Sequence, residues 1–487
     1  MDTSSTNALT IAYYLSRFDK LAVKNLGYAN YTEAFEKTSK IIHANPANIK
    51  NMRDGFDPIH ENKRVGWYQR KMTKSRCRIV DEYSKYTEEE LRKTVLDILS
   101  ENNANKIVKE EIVVDDLEIL IEYINSYIIT RSFLYSPVTL SNFYLSLKTK
   151  PFVILAGISG SGKSKLVRLF AEAIGATKEN GRFNMISVKP DWNDSTELLG
   201  YKNINEEFVP GKLIKIICEA SKAENKDKPY FICLDEMNLA RVEYYLSDYL
   251  SLIESREVSE SGEILTDKLF SVDYLGENNP YSNLYIPENI YIVGTVNMDD
   301  TTFAFSRKVL DRANTIEFSD VNLQSLDFPD EDIQCNVLKN NFLKTSFLTI
   351  KDAIRYDKDY VNEINNKIIA INSILRIGNK HFGYRVRDEI VFYMLENKIA
   401  GLLSEDNAFD FQIMQKVLPI ITGSEYIVKE ILIKIFNYCS PSGEIADGTE
   451  YLDDAEKFKE NALYIESADK IIKMLRGYED GFASFWG

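Results

Sequence analysis

Histidine is nearly missing from this chain: His43, His60 and His381 are the only three in 487 residues. So thin a set leaves little basis for an imidazole-built metal cage or a serine-histidine-acid triad. Cysteine is hardly better represented, with Cys77, Cys218, Cys233, Cys335 and Cys439 far apart and odd in number. That spacing argues against a disulfide framework or a zinc site and suits reduced thiols in a core. Long apolar runs are missing too, so no membrane span is expected. The opening MDTSSTNALT also lacks the basic-then-apolar pattern of a secretory leader. A cytoplasmic location is the expectation that follows. Internal repeats and low-complexity tracts are not found either.

What is present is ordinary in bulk and uneven in detail. Hydrophobic content of 44% and charged content of 27% are those of a globular protein. At roughly 150 residues per domain the length implies about three pieces. The net charge of −15 is not spread evenly: residues 1 to 80 carry 14 Lys/Arg against 7 Asp/Glu, a balance of +7, which leaves −22 for the remainder. Such asymmetry suggests an N-terminal region that meets a polyanion and a body that does not.

That N-terminal region has helical patterning. Leu9, Ile11, Tyr14, Leu15, Phe18, Leu21 and Leu26 recur at helical spacing, Tyr31 to Ile42 gives a second helix, and Asn45-Pro46 starts a third through Ile49 and Met52. Helix, tight turn and short helix is helix-turn-helix geometry, with Asn48, Lys50, Asn51 and Arg53 on or near the face that enters a groove. A small helical bundle serving protein contacts fits the same pattern. The next segment, KRVGWYQRKMTKSRCR from Lys63 to Arg78, holds seven basic residues and no acid, interleaved with Trp67 and Tyr68. Basic groups neutralise phosphates and flat rings stack on bases. The candidate DNA-binding residues are therefore Lys50, Arg53, Lys63, Arg64, Trp67, Arg70, Lys71, Lys74 and Arg76. A charged run is also what a solvated face looks like.

The chemistry is concentrated further on. In PFVILAGISGSGKSKL, from Pro151 to Leu166, the run Gly157-Ile158-Ser159-Gly160-Ser161-Gly162-Lys163-Ser164 fits G-x-x-x-x-G-K-[ST]. Phe152 to Ala156 is the buried strand before it, and Lys165 to Ile174 the helix after it. Glycines let successive N–H groups converge on one anion, Lys163 adds a charge, and Ser164 offers a hydroxyl to magnesium. These eight residues and Lys165 form the candidate nucleotide-binding set. A second apolar strand, Tyr230 to Leu234, delivers Asp235 and Glu236 at its C-terminal end, where open α/β sheets bind ligands. Asp235 suits the metal, alongside Ser164, and Glu236 suits the base that polarises an attacking water. A third strand, Ile290 to Val296, delivers Asn297, whose neutral amide can hold the lytic water or the γ-phosphate, with Asp300 fixing the geometry around it. Then come two arginines, Arg312 the first choice and Arg307 the second, as a finger inserted into a neighbouring subunit's site. Strands alternating with helices make this an α/β domain with a parallel sheet flanked by helices. Residues 133 to 150 are expected to form a lip over the nucleotide base. Beyond 320 the pattern turns helical, over 359–375, 387–403 and 409–421, with Arg385 or Arg387 able to reach back to the γ-phosphate from a lid.

A phosphate loop, an Asp-Glu strand, an Asn-tipped strand, a downstream arginine and a helical lid with another arginine together resemble an AAA+ ATPase. Within that superfamily, VNMDD from Val296 to Asp300 resembles the M-N-x-x-D signature of the McrB family, the motor of modification-dependent restriction, with Val296 where the signature has methionine. Asp311-Arg312 falls where that family carries consecutive arginines, so only Arg312 inherits the finger role. The resemblance implies a ring, a hexamer in the family, that hydrolyses GTP or ATP with Mg2+. It also implies DNA bound through the N-terminal domain and cutting done by a separate McrC-like nuclease in antiviral defence. The alternative within the superfamily is a MoxR-like chaperone. The implied layout is a mostly helical N-terminal domain over 1–130, an AAA+ P-loop domain over 131–320, a helical lid over 321–440, and a C-terminal tail helix with an aromatic terminus over 441–487.

Overall fold

The computed structural model describes residues 3–28, 30–42, 46–60, 72–103, 117–259, 263–276, 278–298, 303–318, 328–329 and 333–486. The chain divides into two compact units, Met1–Pro137 with Asp327–Val337, and Val138–Leu326 with Leu338–Gly487. Among the described residues no helix is long and apolar enough to cross a membrane. Among the described residues no cysteine is in a disulfide.

The first unit is helical throughout its described elements: Thr3–Arg17, Asp19–Asn25, Tyr31–Ile42, Pro46–Phe56, Lys74–Tyr83, Glu88–Asn103 and Leu117–Ile129. Its core gathers Leu9, Ile11, Ala12 and Leu15 from the first helix, Ile49, Met52 and Phe56 from the fourth, and Leu91 and Val95 from the sixth. These are the residues whose helical spacing marks one apolar face per helix. Thr73 caps Lys74–Tyr83 by accepting from the Arg76 amide. The segment that returns after 327 is tied in here: the Tyr123 hydroxyl donates to the Gln334 carbonyl at 2.8 Å, and Arg131 donates to that of Ile333.

The second unit is built on five parallel strands, β1 (Phe152–Gly157), β2 (Phe183–Ser187), β3 (Tyr230–Asp235), β4 (Ile290–Asn297) and β5 (Asn314–Glu317). Their order across the sheet is β2-β3-β4-β1-β5. β1 is buried along its whole length because helices cover both faces, which is why its sequence is an unbroken apolar run rather than an alternation. One face packs Ile154, Ile232 and Ile292 against Leu198, Leu199, Trp192 and Tyr245. On the other, Phe143, Phe170, Phe231 and Tyr291 form a chain of ring contacts.

The segment expected to form a lip is instead the helix Pro137–Thr149, buried from Leu140 onward. Its Leu140, Phe143, Tyr144, Leu145 and Leu147 supply apolar surface on all sides, so it goes inside. Its polar groups are satisfied there, with Asn142 accepting from Tyr393 and Gln415. Helices Lys358–Arg376, Tyr384–Ala400, Glu405–Gln412 and Tyr426–Cys439 follow, then Tyr451–Lys459 and Ile465–Glu479. The aromatic tail docks in this unit, with Phe485 fully buried and Trp486 against Phe305 at 5.1 Å. Asp410 joins the last helix to the others, accepting from the Glu466 and Ser467 amides at 2.9 Å each. Burial pushes its carboxyl up to about 6. A two-stranded hairpin, Gly200–Lys202 with Phe208–Pro210, was not foreseen in the sequence.

Candidate active site

The parallel sheet points the C-terminal ends of its strands to one edge, and register decides which residues meet there. Gly157 at the end of β1 lies beside Asn297 at the end of β4, and Ser187 of β2 beside Asp235 of β3. Gly157 is needed at the rim, since a Cβ on it would sit 2.1 Å from the Phe318 carbonyl oxygen. Gly162 caps the following helix, Lys163–Ala173, with φ of 92°, a left-handed conformation that glycine adopts without strain. Lys163 is buried and its ammonium donates to the carbonyls of Gly157 at 3.0 Å and Ile158 at 2.6 Å. Ile158, Ser159 and Gly160 are exposed, Ser161 is buried, and Lys165 faces outward from the first turn.

The three strand ends are linked by hydrogen bonds. The Ser164 hydroxyl donates to Asp235 Oδ1 at 2.6 Å, and the Thr295 hydroxyl donates to the same oxygen at 2.9 Å. Thr295 also accepts from the Glu236 amide at 3.1 Å, so one buried hydroxyl fixes both acids of the Asp-Glu pair. Thr295 was missed in the sequence; its place two residues before Asn297 on an apolar strand was the only signal. Glu236 is the first residue after β3 and holds φ of 53° and ψ of 49°. A non-glycine residue there costs about 1 kcal/mol. The bend puts the carboxylate in reach of the Asn297 amide, which donates to Glu236 Oε1 at 3.2 Å. The Asn238 amide in turn donates to the Asn297 carbonyl at 3.2 Å. Asp300 lies outside the described residues.

The oxygen atoms of Ser164 and Asp235 are hard donors, side by side and partly open, of the kind that hold magnesium together with substrate phosphates and water. No group of three or more His, Cys, Asp or Glu suited to a metal occurs among the described residues.

Arg312 follows the short helix Arg307–Leu310 and is half-buried, its Nη1 donating to the Lys308 carbonyl at 3.0 Å while Nε is buried without a hydrogen bond. Neither Arg307 nor Arg312 makes an ion pair among the described residues. Arg385 is in the first turn of Tyr384–Ala400 and pairs with Glu254, and Arg387 pairs with the adjacent Asp388 at 2.5 Å. Within this structure both lid arginines are thus occupied by carboxylates.

Two of the candidate DNA-binding residues need correction. Arg53 is only 6% exposed, paired with Asp54 at 2.6 Å and stacked over Tyr31 and Phe35. Arg76 is equally buried, against Glu118 at 3.3 Å and Glu122 at 3.7 Å. Their guanidinium groups are committed to folding the first unit and are not offered to phosphate. The stripe Asn48, Lys50, Asn51 and Arg53 is accordingly not one solvent face. Lys50 and Lys74 are exposed. Lys63, Arg64, Trp67, Arg70 and Lys71 lie outside the described residues.

A parallel sheet of this strand order, with a phosphate loop on β1, an acidic pair on β3 and an amide on β4, defines an AAA+ nucleotide-binding protein. Residues 152–313 match the AAA domain (dynein-related subfamily), and residues 332–482 match a domain of unknown function (DUF8727). Within the AAA+ class the chain is McrB-like. It is 25% identical over 246 residues to the Type IV methyl-directed restriction enzyme EcoKMcrB subunit of Escherichia coli (strain K12), a match covering 50% of each chain. The chain thus spans about half the length of that curated relative. A crystal structure of a candidate ATPase from Cytophaga hutchinsonii is similar with a TM-score of 0.36 and 15% identity, covering 65% of this chain and 84% of that one.

Proposed function

We propose that this chain is the motor subunit of a ring-forming NTPase that couples GTP or ATP hydrolysis to DNA recognition and translocation in anti-phage restriction. Cleavage would come from a separate McrC-like nuclease. The observation that supports the hydrolytic part is the hydrogen-bonded link at one sheet edge from Ser164 through Asp235 and Thr295 to Glu236 and Asn297, the residues this reading uses for metal, base and orienting amide. In this reading the amides of Gly157 to Ser164 and the Lys163 ammonium bind the β- and γ-phosphates. Ser164 and Asp235 hold Mg2+, which when bound neutralises charge on those phosphates. Glu236 takes a proton from the attacking water while the Asn297 amide orients it. Arg312 completes the site of the next subunit in a hexamer, so each site is shared. Asp300 and Arg385 assist at the γ-phosphate, Arg385 after leaving Glu254.

The test is hydrolysis of GTP and of ATP, each with and without DNA, by the wild type and by Glu236→Gln. The wild type should turn over one nucleotide and be stimulated by DNA, and the variant should bind that nucleotide and not release phosphate. A wild type that hydrolyses neither nucleotide would sink the proposal.

The burial of Arg53 and Arg76 favours a second reading, a MoxR-like remodeller whose first unit binds protein. Retention of the full chain on DNA separates the two. The motor reading expects binding that weakens steeply between low and moderate salt, and the remodeller expects none.

A further inference from the structure

Beside the candidate finger, the second unit buries a cluster of charges that the hydrolytic site does not use. Lys416 sits in a single π-helical turn, Ile413–Val417, and is 3% exposed. Its ammonium donates to the carbonyl of Ala313, the residue after Arg312, at 2.6 Å and to Glu389 Oε2 at 2.5 Å. The other Glu389 oxygen pairs with Lys150, which stands two residues before β1 and also pairs with Glu254 at 2.6 Å. Glu254 in turn holds Arg385. Burial opposes the charge on Glu389, but Lys150 and Lys416 outweigh it and hold the carboxyl below its usual range. Half-buried Asp311, the residue just before Arg312, has its carboxyl pushed up by burial, against the lowering effect of the Lys416, Arg307 and Arg385 charges.

Buried ion clusters are poor stabilisers, because desolvation offsets most of the attraction and apolar replacements of equal volume are often neutral. What such a cluster does supply is a fixed geometry. This one grips the backbone on the C-terminal side of Arg312 from a helical segment about a hundred residues away in sequence. We propose that Lys416 is a positioning residue for Arg312: by holding the Ala313 carbonyl it sets the reach of the finger and makes that reach depend on how the helical segment sits. The proposal rests on the finger role of Arg312 given above.

Lys416→Met in the full chain tests it. Glu389 keeps Lys150, and Glu254 keeps Lys150 and Arg385, so the variant leaves two carboxylates with two cations, while the bond to Ala313 is lost. Nucleotide affinity, measured with a fluorescent GTP or ATP analogue, and KM should stay within about twofold, while kcat falls by about ten- to a hundredfold, the usual effect of a small misplacement of a catalytic group. Lys416→Gln keeps an N–H donor and should recover part of the loss, and it carries the same comparison if the methionine variant does not fold. The sharper readout is mixing. If the defect lies in a finger acting on a neighbour, Lys416→Met subunits should regain hydrolysis when combined with Glu236→Gln subunits, as Arg312→Ala subunits should. An unchanged kcat for Lys416→Met beside an inactive Arg312→Ala overturns the positioning role alone, as does a loss that mixing does not restore. An unchanged kcat for Arg312→Ala removes the finger itself, and this proposal with it.

Discussion

Arg53 and Arg76 in the first unit and Arg312 in the second differ in the carboxylates around them. Arg53 and Arg76 of the first unit are buried against Asp54, Glu118 and Glu122, and they hold helices together. Arg312 of the second makes no ion pair among the described residues, its Nη1 donating only to the Lys308 carbonyl. In sequence all three stand out as candidates for meeting phosphate. What separates these three is the supply of carboxylates, matched within the unit for Arg53 and Arg76 and not matched among the described residues for Arg312, which suits the finger role proposed for it.

The comparison breaks if the paired and unpaired arginines respond alike to removal. Arg312→Ala should cut kcat by about a thousandfold or more with nucleotide affinity kept, the range seen when an arginine finger is lost. Steady-state hydrolysis beside equilibrium nucleotide binding checks this. Arg76→Met should do the reverse, lowering stability by about 2 kcal/mol in chemical denaturation while basal hydrolysis holds, since a nearly buried guanidinium leaves partly exposed carboxylates behind. A smaller effect belongs to Asp410. Because its folded carboxyl is pushed up to about 6, the native chain binds a proton more tightly than the unfolded one, and its contribution to stability grows as pH falls through that value. Between pH 7 and pH 5 the gain is about 1 kcal/mol, and Asp410→Asn should flatten it in denaturation at the two pH values. The smallest concerns the exposed pair Lys50 and Lys74. Replacing both with Ala should leave stability and basal hydrolysis alone and shallow the salt dependence of DNA binding by about one unit of slope per lost phosphate contact. An unchanged slope would remove the remaining described residues from the DNA reading.

The candidate site was more legible than its surroundings because phosphate chemistry demands particular residues in contiguous order. Gly157 to Ser164 had to be glycine-rich and end in Lys-Ser, and Asp235, Glu236 and Asn297 each had to follow an apolar strand. The structure brings those strand ends together with the hydrogen bonds described. Residues that act through distant partners were not legible. Nothing near Arg76 in sequence announces Glu118 and Glu122, and nothing near Lys416 announces Ala313. Helix limits moved for local reasons. The lid helix begins at Tyr384 rather than Arg387, with Gly383 as its N-cap, and this puts Arg385 in the first turn. The hairpin over Gly200–Pro210 escaped notice because its strands are three residues each. Gly200 and Gly211 were the available signal: a Cβ on either would strike backbone, at 2.2 Å and 2.3 Å.

The order β2-β3-β4-β1-β5 has a consequence for how the molecule is made. β1 carries the phosphate loop, yet its two neighbours are the last two strands of the sheet, starting at Ile290 and Asn314. A chain emerging from the ribosome therefore holds its most apolar strand without a hydrogen-bonded partner on either edge while well over a hundred further residues are synthesised. Loop closure over such distances is slow, and an unpaired apolar strand is prone to aggregate. The nucleotide site, specified early along the chain, is among the last features of the sheet to be assembled, and chaperone dependence or truncation sensitivity should centre on the stretch from β4 to β5.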